Sequence, residues 1–123
     1  MRREKFPFFK NSLLFGNLES NIAVCTLWTK KENIVKLLPM DKVCVVGNLY
    51  TVNGINYIIK NILTHPVIRY LIVCGVDLNN VYDVLYKLWI YGVEEDNRIK
   101  GTEYYLHRNI PKNLIDIVRR NVK

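Results

Sequence analysis

The chain is poor in the residues that break regular structure or cross-link it. Its 123 residues include 6 glycines, 4 prolines and 3 cysteines. With an apolar fraction of 50%, this composition excludes an intrinsically disordered or low-complexity protein. The longest apolar runs, such as residues 70–74, are far too short to cross a bilayer, and the basic N-terminus lacks the apolar run of a signal peptide. We therefore expect a cytoplasmic domain with a buried core and no membrane span.

The cysteines fit neither a disulfide framework nor a zinc site. Cys25, Cys44 and Cys74 are an odd number at wide spacings, and each lies inside an apolar run. They are predicted to be buried free thiols in a reducing compartment, and no metal site is expected from them.

Basic residues are concentrated at the two ends of the chain, which has a formal net charge of +7. Residues 1–10 and residues 112–123 each hold four basic side chains against one acidic side chain, and the stretch between them is nearly neutral. The excess charge therefore lies outside the body of the domain. Nucleic acid is not expected as a partner.

Two regions are distinguished by their apolar patterning. Residues 1–20 form an N-terminal arm rich in phenylalanine and leucine, expected to pack on the domain or on a partner, and residues 21–123 form a single domain. Buried strands are predicted in this domain at 22–28, 43–46, 70–74 and 104–106.

Helical spacing of apolar residues follows each of these strands. A Thr29–Glu32 capping box predicts a short helix that ends at Pro39. Apolar stripes predict two longer helices, over about 55–63 and 81–89, and Pro111 is predicted to open the last helix.

This order of elements predicts an α/β fold. It is typical of a Rossmann-like three-layer domain with a mostly parallel sheet of about four to five strands and helices on both faces. Such folds bind ligands beyond the carboxyl ends of the strands, near the point where the strand order reverses. The functional residues are therefore sought in the loops that follow strands.

The loop after the second predicted strand begins and ends with glycine. Glycine lets the backbone approach a ligand closely, and the free N–H groups at the next helix start can hold an anion or a polar edge. The spacing matches neither the dinucleotide nor the triphosphate fingerprint, and taken alone it favours an ordinary turn. The candidate cofactor-binding residues of this loop are Gly47, Asn48, Leu49, Tyr50, Thr51, Asn53 and Gly54.

Further candidates follow the third and fourth predicted strands. Asp77 either contacts a ligand or caps the next helix. His107 is the imidazole expected at the ligand end, as a candidate for binding a cofactor or its metal or for proton transfer, although a lone histidine is more often structural. No catalytic triad or paired-histidine motif is present, so no catalytic residue is assigned. The remaining candidates are Gly75, Asn79 and Asn80.

Several motifs resemble the A subunit of the archaeal tetrahydromethanopterin S-methyltransferase. They are Val45-Val46-Gly47, Lys60-Asn61-Ile62, His65-Pro66-Val67-Ile68-Arg69, Cys74-Gly75, Tyr91-Gly92-Val93, Asn97-Arg98-Ile99 and Asn109-Ile110-Pro111. The resemblance covers about residues 22–122. Residues 23–29 are also similar to related archaeal domains of unassigned function.

The resemblance implies a Rossmann-like domain that binds a corrinoid and carries a methyl group on cobalt between a pterin and coenzyme M. In that family a histidine at the start of the helix after the Cys-Gly strand ligates the cobalt. Val81 stands at the corresponding position here, and an aliphatic side chain donates to no metal. The expected cobalt ligand is therefore missing from this sequence.

Two functions follow as hypotheses. The first is a methyltransferase-related domain, linked to one-carbon transfer, that binds a cobamide or a pterin; whether it is an enzyme stays open. The second is a non-catalytic interaction or regulatory subunit that has lost its cofactor and binds a second copy of itself or another protein. Tyr82 and Tyr86, on a flank of the helix over 81–89, are expected either at a subunit contact or in a pocket for a flat ligand.

Overall fold

The computed structural model describes residues 7–8 and 12–123. Most of the basic segment 1–10 therefore lies outside the described residues, as do Phe6 and Phe9 of the predicted arm. The net charge of this end is known from the sequence alone.

In the described part of the chain, four strands form one mixed sheet in the order β1-β3-β2-β4. Strand β3 pairs antiparallel with β1 and parallel with β2, and β2 pairs parallel with β4. The strands are β1 (Leu13–Phe15), β2 (Ile22–Cys25), β3 (Val45–Gly47) and β4 (Tyr70–Val73). The expectation of an α/β fold with a mostly parallel sheet of about four strands is confirmed.

Among the described residues, the first two α-helices and two short 3-10 turns lie between the parallel strands, and two further α-helices follow β4. The two predicted long helices and the last helix are confirmed, and their observed bounds differ from the predicted ones by at most a few residues. The helices are α1 (Lys31–Val35), α2 (Ile55–Thr64), α3 (Val81–Tyr91) and α4 (Lys112–Asn121), and the 3-10 turns are Met40–Lys42 and Val52–Gly54.

The sheet separates two apolar clusters of unequal size. Alternate residues of β2, such as Ala23 and Cys25, pack into the main core with the inner faces of α2, α3 and α4. Val24 and Val46 point to the other face, into a smaller cluster that includes Val35 of α1. The residues of β4 on the smaller cluster's side of the sheet are less covered than those of β2: Tyr70 is 47% exposed and Ile72 is 50% exposed.

Two sequence predictions about local structure are wrong. Residues 104–106 form no strand of the sheet. Tyr105 makes an isolated antiparallel bridge with Arg98, so this segment pairs with a nearby part of the chain and not with the sheet. The capping box is not formed either, since the Thr29 hydroxyl accepts a hydrogen bond from the Val76 N–H, and the N-cap of α1 is Lys30, without a side-chain cap bond.

One strand was not predicted at all. Residues 13–15 lie in the predicted arm and have no alternating pattern, but β1 pairs with β3 along its whole length. Part of the arm therefore belongs to the sheet.

The cysteines behave as small apolar residues. Cys25 and Cys44 are buried free thiols, as predicted, and Cys74 is half-buried. Burial raises the pKa of Cys25 to about 11. Among the described residues, no helix is long and apolar enough to span a membrane.

Candidate functional site

The loops that follow the three parallel strands meet at the carboxyl end of the sheet, as predicted. The Trp28 N–H donates to the Val76 carbonyl at 2.9 Å, which joins the loop after β2 to the loop after β4. The Asn79 amide donates to the Tyr50 carbonyl at 2.9 Å, which joins the loop after β4 to the loop after β3. The loops after β2, β3 and β4 are therefore joined to one another by hydrogen bonds, and together they form the candidate site.

Asn48 directly follows β3 and contacts the loop after the neighbouring strand β2. Its Nδ2 group lies 2.9 Å from the Leu27 carbonyl oxygen, 3.0 Å from Thr26 Oγ1 and 2.6 Å from the Thr29 carbonyl oxygen. Leu27 has a φ of 51°, a left-handed conformation that is unfavourable for leucine. The Asn48 amide thus stabilises a strained turn, and its N–H groups point into the protein.

The three candidate glycines are explained by packing. Gly75 has a φ of +93°, and a Cβ there would collide with the Thr26 carbonyl oxygen. Added Cβ atoms at Gly47 and Gly54 would come within 2.7 Å of a Leu13 methyl and 2.8 Å of a Leu49 methyl, respectively. Leu49 itself is buried in the core, so its side chain cannot contact a ligand at the surface.

Asp77 caps helix α3. Its Oδ1 accepts from the Val81 N–H at 3.0 Å and its Oδ2 accepts from the Tyr82 N–H at 2.9 Å. Of the two roles predicted for Asp77, ligand contact and helix capping, the hydrogen bonds show capping. Asn80 precedes the helix in the left-handed conformation, with a φ of 55° and no side-chain cap bond.

Trp28 and Tyr50 form an aromatic pair at this end of the sheet. Their ring centroids are 4.7 Å apart in an edge-to-face arrangement. Trp28 Nε1 is buried and has no hydrogen-bond partner among the described residues, which is uncommon for an indole N–H. Trp28 is the last residue of the predicted strand over 22–28 and was not among the candidate site residues.

His107 lies beside the start of α2 and is held on three sides. Its ring Nε2 is 3.1 Å from Asn53 Oδ1, its Nδ1 is 3.3 Å from Lys60 Nζ, and its backbone N–H donates to Asn56 Oδ1 at 2.7 Å. Since Lys60 can only donate, Nδ1 accepts and Nε2 carries the proton. Burial, together with the Lys60 ammonium, lowers the pKa of His107. Both ring nitrogens of the neutral imidazole are therefore occupied.

An open cavity of about 510 Å³ lies above the starts of α2 and α3. We call it the carboxyl-end cavity; it is lined by Thr51, Val52, Asn53, Asn79, Val81, Tyr104 and Tyr105. Three predicted site residues (Thr51, Asn53 and Asn79) thus meet there. The two tyrosines were missed because the sequence placed them in a strand.

The cavity is lined by amide and hydroxyl groups and by two tyrosines, and its lining contains no His, Cys, Asp or Glu side chain. Val81 has no exposed surface, and Tyr104 and Tyr105 are 44% and 55% exposed. Throughout the described part of the chain, no three His, Cys, Asp or Glu side chains are grouped to hold a metal ion.

Comparison with known proteins gives one consistent result. A family model described as the A subunit of tetrahydromethanopterin S-methyltransferase matches residues 2–123. The A subunit of this methyltransferase from Methanopyrus kandleri is 29% identical over 97% of this chain and 51% of its own length. The A 2 subunit from Methanothermobacter thermautotrophicus is 29% identical over 98% of this chain and 67% of its own length. The A subunit of the putative methyltransferase Mtx from Methanosarcina barkeri is 32% identical over 81% of this chain and 49% of its own length. The chain thus spans about half to two thirds of these relatives.

Proposed function

Because the chain belongs to the family of tetrahydromethanopterin S-methyltransferase A subunits, we propose that it is a methyl-transfer-related subunit that binds a corrinoid at the carboxyl end of its sheet. The family match confirms the resemblance seen in the sequence motifs. The corrinoid is the part of the proposal that goes beyond family membership.

The carboxyl-end cavity is the observation that carries this proposal. A corrin ring is flat, and its rim bears amide groups that both donate and accept hydrogen bonds. Thr51 and the amides of Asn53 and Asn79 line one part of the cavity, and Tyr104 and Tyr105 present partly exposed rings in another part. Side chains of these kinds fit the rim and face of such a ring.

The same cavity does not fit the cobalt ion. Val81, at the position where the family resemblance implies an imidazole, is an aliphatic side chain with no exposed surface. His107 is a poor substitute. Its Nδ1 lone pair accepts a hydrogen bond from the Lys60 ammonium group, which lies 3.3 Å away and would repel a metal cation. We therefore propose a subunit that would hold and orient the ring without donating a cobalt ligand from either of these two positions.

The fold supports this placement of the ligand. Helix α1, which follows β2, and helix α3, which follows β4, pack on opposite faces of the sheet, so the strand order switches between the ends of β2 and β4. We infer a Rossmann-like, cytoplasmic domain in which the ligand lies above this end of the sheet. When bound, a corrinoid would supply a cobalt centre able to carry a methyl group; the chain would supply orientation and exclusion of water.

Gel filtration with hydroxocobalamin tests the proposal. We expect the corrinoid to co-elute with the protein, with an absorption spectrum close to that of the free, water-ligated corrinoid because no imidazole is offered. Co-elution with a spectrum shifted to that of an imidazole-ligated corrinoid would contradict the missing ligand. No co-elution would contradict corrinoid binding, and a parallel run with a tetrahydropterin would then show whether a pterin is the ligand.

The second candidate is a non-catalytic interaction subunit. It is favoured by the exposed apolar side chains of Tyr70, Ile72, Tyr82 and Tyr86 around β4 and α3. Native mass spectrometry would support it by showing a stable complex with a protein partner that forms equally well with no corrinoid or pterin present. Loss of the complex on removal of the cofactor would contradict it.

A further inference from the structure

The side-chain amide of Asn53 is held in one orientation by groups behind the carboxyl-end cavity. The first is His107, whose ring Nε2 lies 3.1 Å from Asn53 Oδ1. The Lys60 ammonium group lies 3.3 Å from the other ring nitrogen, Nδ1, and it can donate but not accept. Nδ1 is therefore the acceptor and Nε2 carries the proton, so the atom of Asn53 that faces Nε2 is its oxygen.

Asn56 fixes the same orientation independently. This residue is buried, and its Oδ1 accepts from the backbone N–H of His107 at 2.7 Å. Because a backbone N–H can only donate, the other end of the Asn56 amide is Nδ2, which lies 3.3 Å from Asn53 Oδ1. Two donors thus converge on the Asn53 oxygen.

The nitrogen of Asn53 is left for the cavity. Asn53 is exposed and lines the carboxyl-end cavity, and its Nδ2 donates to no residue that the structure describes. Exchanging the two ends of this amide would bring Nδ2 against the N–H groups of His107 and Asn56. Asn53 therefore offers a ligand hydrogen-bond donors and no acceptor.

Asn79 is oriented in the opposite sense. Its Nδ2 donates to the Tyr50 carbonyl oxygen at 2.9 Å, and a carbonyl can only accept. Asn79 is exposed and lines the same cavity, and its Oδ1 accepts from no described residue. The cavity thus has a fixed donor at Asn53 and a fixed acceptor at Asn79, whereas the hydroxyl groups in its lining can serve as either.

We propose that the carboxyl-end cavity selects carboxamide groups over carboxylate groups, with Asn53 and Asn79 as the residues that determine this specificity. The oxygen of a primary carboxamide accepts from Asn53, and its NH₂ group donates to Asn79. A carboxylate satisfies Asn53 but sets a charged oxygen against the Asn79 oxygen. Sites that hydrogen-bond a polar group of a ligand reject an analogue that leaves their own groups unpaired. This specificity rests on the proposed function, since a corrinoid carries such amides on its rim.

Isothermal titration with cyanocobalamin and with its monocarboxylic acids, in each of which one propionamide has been hydrolysed, tests the specificity. We expect at least one of the acids to bind the full chain about tenfold more weakly than the parent amide. The formal net charge of +7 would by itself favour an acid, so weaker binding of an acid cannot come from overall attraction.

Asn53→Asp tests the donor. The carboxylate keeps one oxygen towards His107 and Asn56 and replaces the NH₂ group that faces the cavity with a second oxygen, so the fold should persist. We expect cyanocobalamin to bind this variant about tenfold more weakly than the wild type. Asn33→Asp makes the same change of charge on an exposed residue of α1 outside the cavity, and it should bind normally.

Asn79→Ala tests the acceptor and serves if Asn53→Asp does not fold. Without the Asn79 oxygen, the acid that binds the wild type weakly should bind nearly as well as the parent amide. An undiminished preference for the amide in Asn79→Ala would overturn the assignment of this residue.

Two further results would overturn the amide specificity while leaving corrinoid binding in place. They are equal affinities of the wild type for the parent amide and every acid, and equal affinities of Asn53→Asp and Asn33→Asp for cyanocobalamin. Failure of the wild type to bind any of these corrinoids is a different outcome: it would overturn the proposed function, and the specificity with it.

Discussion

Asn48 shows how one side chain can hold the loops at the carboxyl end. Its amide faces the hydroxyl of the fully buried Thr26 and two carbonyl oxygens. Asn48→Ala should lower the free energy of unfolding by about 2 kcal/mol, because these acceptors lose their donor in a partly buried place. Urea unfolding followed by circular dichroism measures the change.

Asn48→Asp is the informative companion variant. It preserves the shape of the side chain but places a carboxylate against three oxygen atoms, so it should destabilise at least as much as Asn48→Ala at neutral pH. Wild-type stability in Asn48→Asp would show that the donated hydrogen bonds matter little.

His107 predicts a pH dependence of stability. Burial and Lys60 lower its pKa in the folded chain below the ordinary value of 6.5. The unfolded chain therefore takes up this proton at a higher pH than the folded chain does. The free energy of unfolding should fall as the pH drops from about 6.5 to the folded-state pKa, and should then level off.

The imidazole signals in an NMR titration report this pKa directly. We expect a midpoint below 6.5 in the wild type and a higher midpoint in Lys60→Gln, which removes the neighbouring charge. In His107→Gln the slope of stability against pH across this window should decrease. A wild-type midpoint above 6.5 would contradict the tautomer and the hydrogen bonds assigned to His107.

At the scale of elements, helix α3 has an N-terminal cap whose residue the sequence alone does not identify. The sequence offers three polar residues before this helix, and Asp77 is the one that accepts from its first N–H groups. Asp77→Ala should lower the free energy of unfolding by about 1 kcal/mol. Asp83→Ala is the matched control on the same helix: its ion pair with Lys87 is exposed, so the expected change is smaller. Equal losses in thermal or urea unfolding would refute the capping role.

The elements predicted well are those whose pattern is local. The stripe of Ile55, Ile59 and Ile62 has the helical period and lies in the core, as expected. Strand β1 lacked a pattern because it is short and laterally placed, and its pairing comes from contact with a strand about thirty residues away in the chain. Residues 104–106 combine apolar and aromatic side chains, but only Leu106 is buried, and the two tyrosines face outward near the cavity.

At the scale of the whole molecule, the sequence predicted which loops meet but not how they are built. The expectation that the loops after parallel strands meet at one end of the sheet agrees with the cavity that Thr51, Asn53 and Asn79 line together, and their role in ligand binding stays a prediction. It could not show that Asn48, Gly75 and Asp77 are used in holding the loops together, because that depends on hydrogen bonds between loops distant in sequence. Nor could it show that Tyr104 and Tyr105 reach the same cavity from a segment far along the chain.

The central claim is that the carboxyl-end cavity binds a corrinoid. Isothermal titration of the full chain with hydroxocobalamin, compared between Tyr105→Ala and Tyr86→Ala, tests it most directly. Both tyrosines are about half exposed, but only Tyr105 lines the cavity. We predict binding to the wild type and to Tyr86→Ala with the same Kd, and about tenfold weaker binding to Tyr105→Ala. Absence of binding to the wild type, or an equal Kd in all three proteins, would contradict the claim.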